Sequence, residues 1–503
     1  MTTTPKKTWG YYLCGLVLVA PVRGLALASP VIFSILAANQ LGVLGSAVWS
    51  SKYALPLLLY FASETLFLVH YTRTATRLGR PVIAPPQLVA ALASRQHAPS
   101  SVSAFFETMA SHTPDLRAMV EEWFFDTPFD QLTRPDLCAW FSYTFYSKEW
   151  QHMHLADRDE VDALVTRLYE LVGAAEPPSP SAQPIQCIRH TLDPFHATVR
   201  PWVAYAVTIG MNQLSHVLLR VAGFRRMTLA RGLHYWHQPS LDSSTSTVSP
   251  LVFVHGMGVG LLLYLPLVWQ LKAAHPDRPL FLLEMPCISM QWVEDVPSKD
   301  TTLAGIRRML ADHGIARAHW MGHSYGTAIC SWVCQEMPAA VAHATFVDPI
   351  VFYLWKRDVA YNFLYRAPST GLELLMWYYV STEVHVSYVM RRDMWWYTMV
   401  CFPEHLPRDP TKKNGNIAAS IYLSSDDLIV NTKAVQTHLD RSAALRGKST
   451  FPPESTDDIE TTWWNGLNHG EMMWHGHALS AVVENASQRD DAAKMCSIHE
   501  HDD

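Results

Sequence analysis

Three regimes of hydrophobic patterning follow one another along the 503 residues. The first is nearly unbroken apolar sequence. After Lys6 and Lys7 comes TWGYYLCGLVLVAPV, then Arg23, then Gly24 to Ser51 without a charged residue; beyond Lys52, YALPLLLYFASETLFLV is interrupted only by Glu64. A bilayer crossing takes about 20 apolar residues, so residues 1–75 read as one to three membrane-anchoring helices. A cleaved leader ending near Ala26-Leu27-Ala28 competes with this, but cleavage there would leave a second apolar segment behind. Lys52, Arg73, Arg77 and Arg80 place the bulk of the chain on the cytosolic side, where cations flank membrane segments.

The second regime, residues 76–228, joins linkers to helical spacing. Pro81–Pro99 and Pro177–Pro184 are rich in Pro and small residues and read as linkers. Between them SAFFETMASH, DLRAMVEEWFF and DLCAWFSYTFY place apolar side chains three and four apart behind Ser or Asp N-caps. Arg200 to Arg220 is also apolar and helical, but its Asn212, Gln213 and His216 predict a packed amphipathic helix rather than another span.

The third regime, residues 229–486, alternates short buried strands with helices. TLARGLHYWH reads as a strand, Ser240–Ser249 as a loop and PLVFVHG as a strand buried on both faces. Then follow helix Leu261–Ala274, strand PLFLLEMP, helix Thr301–His313, strand Ala316–Met321, helix Thr327–Met337 and strand ATFVDP. An aromatic-rich insertion, residues 350–410, interrupts the series, which resumes with strand NIAASIYLSS, helix AVQTHLDRSAAL and strand Glu460–Trp464. This alternation predicts an α/β fold with a doubly wound, mostly parallel sheet and the insertion as a helical cap. The polar residues 487–503 read as a disordered tail.

Composition narrows the function. A net charge of −6 with no basic cluster gives no call for a nucleic-acid partner, and none is expected. Eight scattered cysteines without a CxxC pair favour reduced thiols over a disulfide scaffold or a zinc site.

The candidate chemistry lies in WMGHSYGTAIC, where Ser324 sits between Gly322 and Gly326 on a strand-to-helix turn. So tight a turn strains the serine backbone and excludes side chains two residues either side of it, while the helix N-terminus offers amides to a developing oxyanion. A serine needs a histidine to take its proton and a carboxylate to orient that histidine. Among 24 histidines, His469 in GLNHGEMMW follows the last strand, and Gly470 permits a close loop. The acid belongs between serine and histidine in the chain, which selects SIYLSSDDLIV. There Asp427, three before Val430, is the better fit and Asp426 reads as a solvated turn residue. Asp348 in FVDP is an outside alternative, expected rather to close a turn before Pro349. For the oxyanion hole the amides of Tyr325 and of Met257, in the loop His255-Gly256-Met257-Gly258-Val259-Gly260, are the candidates. The same loop read as a dinucleotide site lacks the third spaced glycine and the downstream acid. His475 and His477 lack a third ligand at metal-binding spacing. Neither metal nor cofactor is expected.

With these parts in place the chain resembles the α/β-hydrolase superfamily: HG after the first buried strand, GHSYG at the turn, SDDLIV after a later strand and NHG at the end. The resemblance covers about Leu229 to Ala486 and is similar to membrane-anchored, lipase-like members with an extra N-terminal helical region. It implies Ser324, Asp427 and His469 as a catalytic triad and 350–410 as a cap over the site. A serine at the turn, where the related dehalogenases and epoxide hydrolases carry aspartate, implies acyl transfer through a covalent ester. The aromatic cap and the anchor favour a lipid or other apolar ester as substrate, reached from the membrane. Two rival readings are transfer of the acyl group to an acceptor other than water and a non-catalytic scaffold. His152 to Asp157, HMHLAD, matches a lipid acyltransferase signature only in its His and Asp spacing and is read as coincidence.

Overall fold

The computed structural model describes residues 5–43, 53–82, 85–92, 101–176, 184–239, 249–293, 296–408, 417–446 and 459–499. The Ser240–Ser249 loop, Pro177–Pro184 and Lys52 therefore lie outside, or almost outside, the described residues, as do residues 83–84 and 93–99 of Pro81–Pro99. Within Pro81–Pro99 a short helix forms at Leu88–Leu92.

Eight strands form one sheet in the order β1-β2-β4-β3-β5-β6-β7-β8. They are β1 (Arg225–Ala230), β2 (Leu233–Gln238), β3 (Leu251–Val254), β4 (Leu280–Glu284), β5 (Ala318–His323), β6 (Val341–Val347), β7 (Ala419–Ser424) and β8 (Glu460–Trp464). β3 through β8 run parallel, and β1 and β2 add an antiparallel hairpin on the β4 edge. That hairpin corrects the single strand expected at TLARGLHYWH. Arg231 and Gly232 turn the chain, with Gly232 at φ 76°, so Ala230 pairs with Leu233.

The central strands are apolar on both sides because both faces are covered. Along β3, Val252 and Val254 pack into one core, while Leu251 and Phe253 pack into the other. Period-two alternation thus persists inside a run that reads as continuously hydrophobic. Each such side chain contributes about 1.5–3 kcal/mol by leaving water. One face carries helices Trp202–Val221, Leu265–Ala274 and Gly476–His499. The last of these corrects the expected disordered tail, since it continues past Ala486 to His499. Helices Lys299–Asp312 and Gly326–Glu336 cover the opposite face.

The helical region is not a separate body. Its helices Val102–Ser111, Leu116–Trp123, Arg134–Tyr146 and Leu155–Val172 share the larger core with the insertion after β6. Indole donors tie the two together: Trp123 to the Trp355 carbonyl (2.9 Å), Trp355 to Thr113 Oγ1 (2.9 Å) and Trp396 to the Thr144 carbonyl (3.0 Å). Most of the insertion's aromatic side chains are therefore used in packing.

Two helices are long and apolar enough to cross a membrane, Trp9–Gln40 and Ala54–Leu78. The single acidic residue in the second, Glu64, is buried and receives the Tyr60 hydroxyl (2.9 Å) and the Trp202 amide (3.0 Å). The start of the first helix is seamed to the cap. Thr8 N donates to Ser369 O (2.9 Å), the Tyr379 hydroxyl donates to Leu18 O (2.6 Å), and a Cβ at Gly371 would meet Gly10 O at 2.9 Å.

Candidate active site

β5 ends at His323 and helix Gly326–Glu336 begins three residues later, leaving Ser324 and Tyr325 to make the turn. Ser324 has φ 52°, a conformation an L side chain holds only when its surroundings impose it. Glycine is required on both sides. A Cβ at Gly322 would meet Cys330 Sγ and Gly326 O at 2.8 Å, and one at Gly326 would collide with the Val254 carbonyl oxygen. Gly256 is also confined: a Cβ there would meet Ser324 Cβ at 2.8 Å.

The structure brings the other two predicted residues to this serine from the ends of β7 and β8. His469 Nε2 lies 2.8 Å from Ser324 Oγ, and its Nδ1 lies 2.7 Å from Asp427 Oδ2. Asp427 Oδ1 accepts the amides of Ile429 (2.7 Å) and Val430 (2.8 Å), which fixes the carboxylate plane. Asp426 is exposed, and its carboxylate accepts only the neighbouring Ser425 hydroxyl (2.9 Å) among the described residues. Burial opposes charge on His469, but the Asp427 carboxylate, through charge and hydrogen bond, and the charge of Asp348 outweigh it, so its pKa is raised.

His255 is wholly buried and ties down its loop, with Nδ1 2.7 Å from Gly256 O and Nε2 accepting the Met285 amide at 3.0 Å. Burial lowers its pKa and keeps it neutral. Met257 and Tyr325 line the same cavity as Ser324, and among the described residues no hydrogen bond occupies either backbone amide. The cavity measures about 300 Å³ and is walled mainly by aliphatic side chains, among them Leu372, Met376, Val380 and Met390 of the cap. Trp377, Tyr378 and Tyr379 instead pack around the first membrane-type helix, so cap aromatics contribute little to the walls.

Asp348 corrects the sequence reading. It does not close a local turn; it points into the site and accepts the Gly470 amide at 2.8 Å. Sequence reasoning also missed Tyr264, whose hydroxyl accepts the Gly256 amide (3.0 Å) and faces His323 Nδ1 (2.8 Å). No sequence spacing announces that contact. Among the described residues, Asp348, Asp427 and His469 are the one group of ligating side chains near enough to share a cation, with atoms within 4.8 Å of one another. Two of those atoms are already joined at 2.7 Å, so we read the group as proton-handling. His475 accepts the Ala478 amide (3.4 Å) and His477 packs edge-on to Trp464, both structural duties.

No protein-family model and no curated protein matches the chain. Solved structures do match. A hydrolase from Bacillus subtilis is 16% identical over 56% of this chain and 98% of its own, with TM-score 0.36. Naproxen esterase from Bacillus subtilis is 15% identical over 56% and 96%, with TM-score 0.36. A bacterial membrane phospholipase A is 12% identical over 56% and 94%, with TM-score 0.35. At these values they add nothing to what the chain's own topology says. The parallel sheet with its antiparallel β1–β2 edge, the strained serine between β5 and its helix, and the chain order serine, aspartate, histidine give residues 225–486 the α/β-hydrolase fold.

Proposed function

We propose that the protein is a serine hydrolase that cleaves a carboxylic ester of an apolar, lipid-like substrate through an acyl-enzyme on Ser324. The observation that carries this reading is His469, with one ring nitrogen 2.8 Å from Ser324 Oγ and the other 2.7 Å from Asp427. Protonated at Nδ1 toward the carboxylate, the imidazole presents Nε2 to the hydroxyl proton. The serine oxygen then bonds to the ester carbon, and the carbonyl oxygen takes up negative charge within reach of the Tyr325 and Met257 amides. The histidine returns its proton to the departing alcohol, and water repeats the sequence in reverse to release the acid. An aliphatic cavity of about 300 Å³ suits an acyl chain. Two helices of membrane-spanning length support attachment to a bilayer, and Lys52, Arg73, Arg77 and Arg80 beside the apolar region favour the cytosolic side for the hydrolase domain.

The test is labelling of the full chain with a fluorophosphonate, followed by mass spectrometry of the peptide containing Ser324. Labelling that disappears in Ser324→Ala, together with esterase activity and without loss of membrane association, is the expected result. An unlabelled wild-type chain overturns the reading.

A further inference from the structure

One charged group at the site has no place in the mechanism above. β6 ends at Val347, and the next residue, Asp348, is fully buried at φ 43°. Its amide donates to Tyr422 O (3.0 Å), its Oδ2 accepts the Gly470 amide (2.8 Å), and its Oδ1 has no hydrogen-bond partner among the described residues. A buried carboxylate left half-satisfied is costly, and a neutral amide could also accept from Gly470. The negative charge therefore calls for a use.

Every element facing the imidazole bears on what that use is. Asp427 approaches from the end of β7, Asp348 from the end of β6 and His323 from the end of β5, with the Tyr264 hydroxyl behind His323. His323 Nε2 stands 3.7 Å from Asp348 Oδ2. Burial lowers the His323 pKa and leaves it neutral, so it does not cancel the aspartate. Burial also works against charge on Asp348, but the nearby His323 and His469 rings and the Gly470 amide outweigh it and hold its pKa below the ordinary carboxylate value.

We propose that Asp348 is a second carboxylate serving the base: a positioning residue that fixes the His469 loop through the Gly470 amide and stabilises, by its charge, the imidazolium formed when Ser324 gives up its proton. This rests on the serine-hydrolase reading. Asp427 orients the ring, and Asp348 supplies a second negative charge from the neighbouring strand end. With Asp427 neutralised, Asp348 is the remaining charge and carries more of the load.

The experiment compares pH profiles of kcat/KM on a soluble short-chain ester for wild type, Asp348→Asn, Asp427→Asn and the double variant, all as full chains. Asp348→Asn should move the acid limb down by about half a unit or more and lower kcat with little change in KM. The same substitution should cost on the order of tenfold more in the Asp427→Asn background than in wild type. An unmoved limb together with equal cost in both backgrounds overturns the proposal. Asp348→Ser, which keeps an acceptor for Gly470 and adds no volume, gives the same comparison if the Asn variant does not accumulate. A wild-type chain that fluorophosphonate fails to label at Ser324 refutes the triad reading itself; a labelled chain whose variants show no shift refutes only the role of Asp348.

Discussion

The two adjacent aspartates after β7 should behave very differently. Asp427 spends both oxygens: Oδ1 on the amides of Ile429 and Val430, and Oδ2 on His469 Nδ1 at 2.7 Å. Asparagine has one acceptor oxygen, and the two fixed amides claim it. Its NH₂ group must then face Nδ1, which drives the imidazole proton to Nε2, the atom 2.8 Å from Ser324 Oγ. A base carrying its proton on the side of the nucleophile accepts another only through its minor tautomer. The loss should be about 10³–10⁴-fold in kcat, or about 4–5.5 kcal/mol of barrier. Asp426 is exposed, and its contact with the Ser425 hydroxyl is local, so Asp426→Asn should stay within about 0.5 kcal/mol, roughly twofold. Steady-state kinetics on a soluble chromogenic ester, with thermal melts to verify folding, provide the measurement. Equal losses for the two variants, or an Asp427→Asn enzyme with a tenth of normal activity, would refute the assignment.

Three further outcomes follow from the geometry. Gly326→Ala should destabilise the fold by about 1–3 kcal/mol and lower its denaturation midpoint, because the new methyl collides with the Val254 carbonyl oxygen; an unchanged midpoint would show that the turn can relax. Because the His469 pKa is raised, activity should be gained as pH rises through a value above 6.5, whereas the stability this group contributes is complete below 6.5 and fades over that same rise; pH–rate and pH–melt curves should run oppositely there. Burial lowers the His190 pKa to about 4, and the ring sits between the Tyr143 hydroxyl (2.6 Å) and the Met394 carbonyl (3.0 Å). Its unfolded form therefore binds a proton first, and stability should fall by about 3 kcal/mol as pH drops from 6.5 toward 4, a loss that His190→Gln should reduce.

How much of this was legible in the residues depended on the range of the interaction that set each feature. β8 was read to the residue at Glu460–Trp464, and the serine turn declared itself because glycine spacing and strain are local properties. His469 and Asp427 were legible because chain order and strand position restrict them. The β1–β2 hairpin was missed because Arg231-Gly232 carries only a weak turn signal inside an apolar run. Asp348 was misread because the proline after it suggests a turn, while its true partner, Gly470, lies 122 residues away. The fate of the cap aromatics was likewise invisible: nothing near Trp355 announces that its carbonyl receives Trp123.

The seam between the first apolar helix and the cap means that this helix is not an interchangeable address label. Gly371, which leaves room for Gly10, is followed at once by Leu372 in the wall of the cavity that holds Ser324. An unrelated hydrophobic leader of equal length could hold the chain at a bilayer, yet it would not reproduce the Thr8–Ser369 and Leu18–Tyr379 fastenings. A chimera of that kind would keep an apolar first helix but carry an altered cap, so in this molecule a change of leader is also a change to the chamber around Ser324.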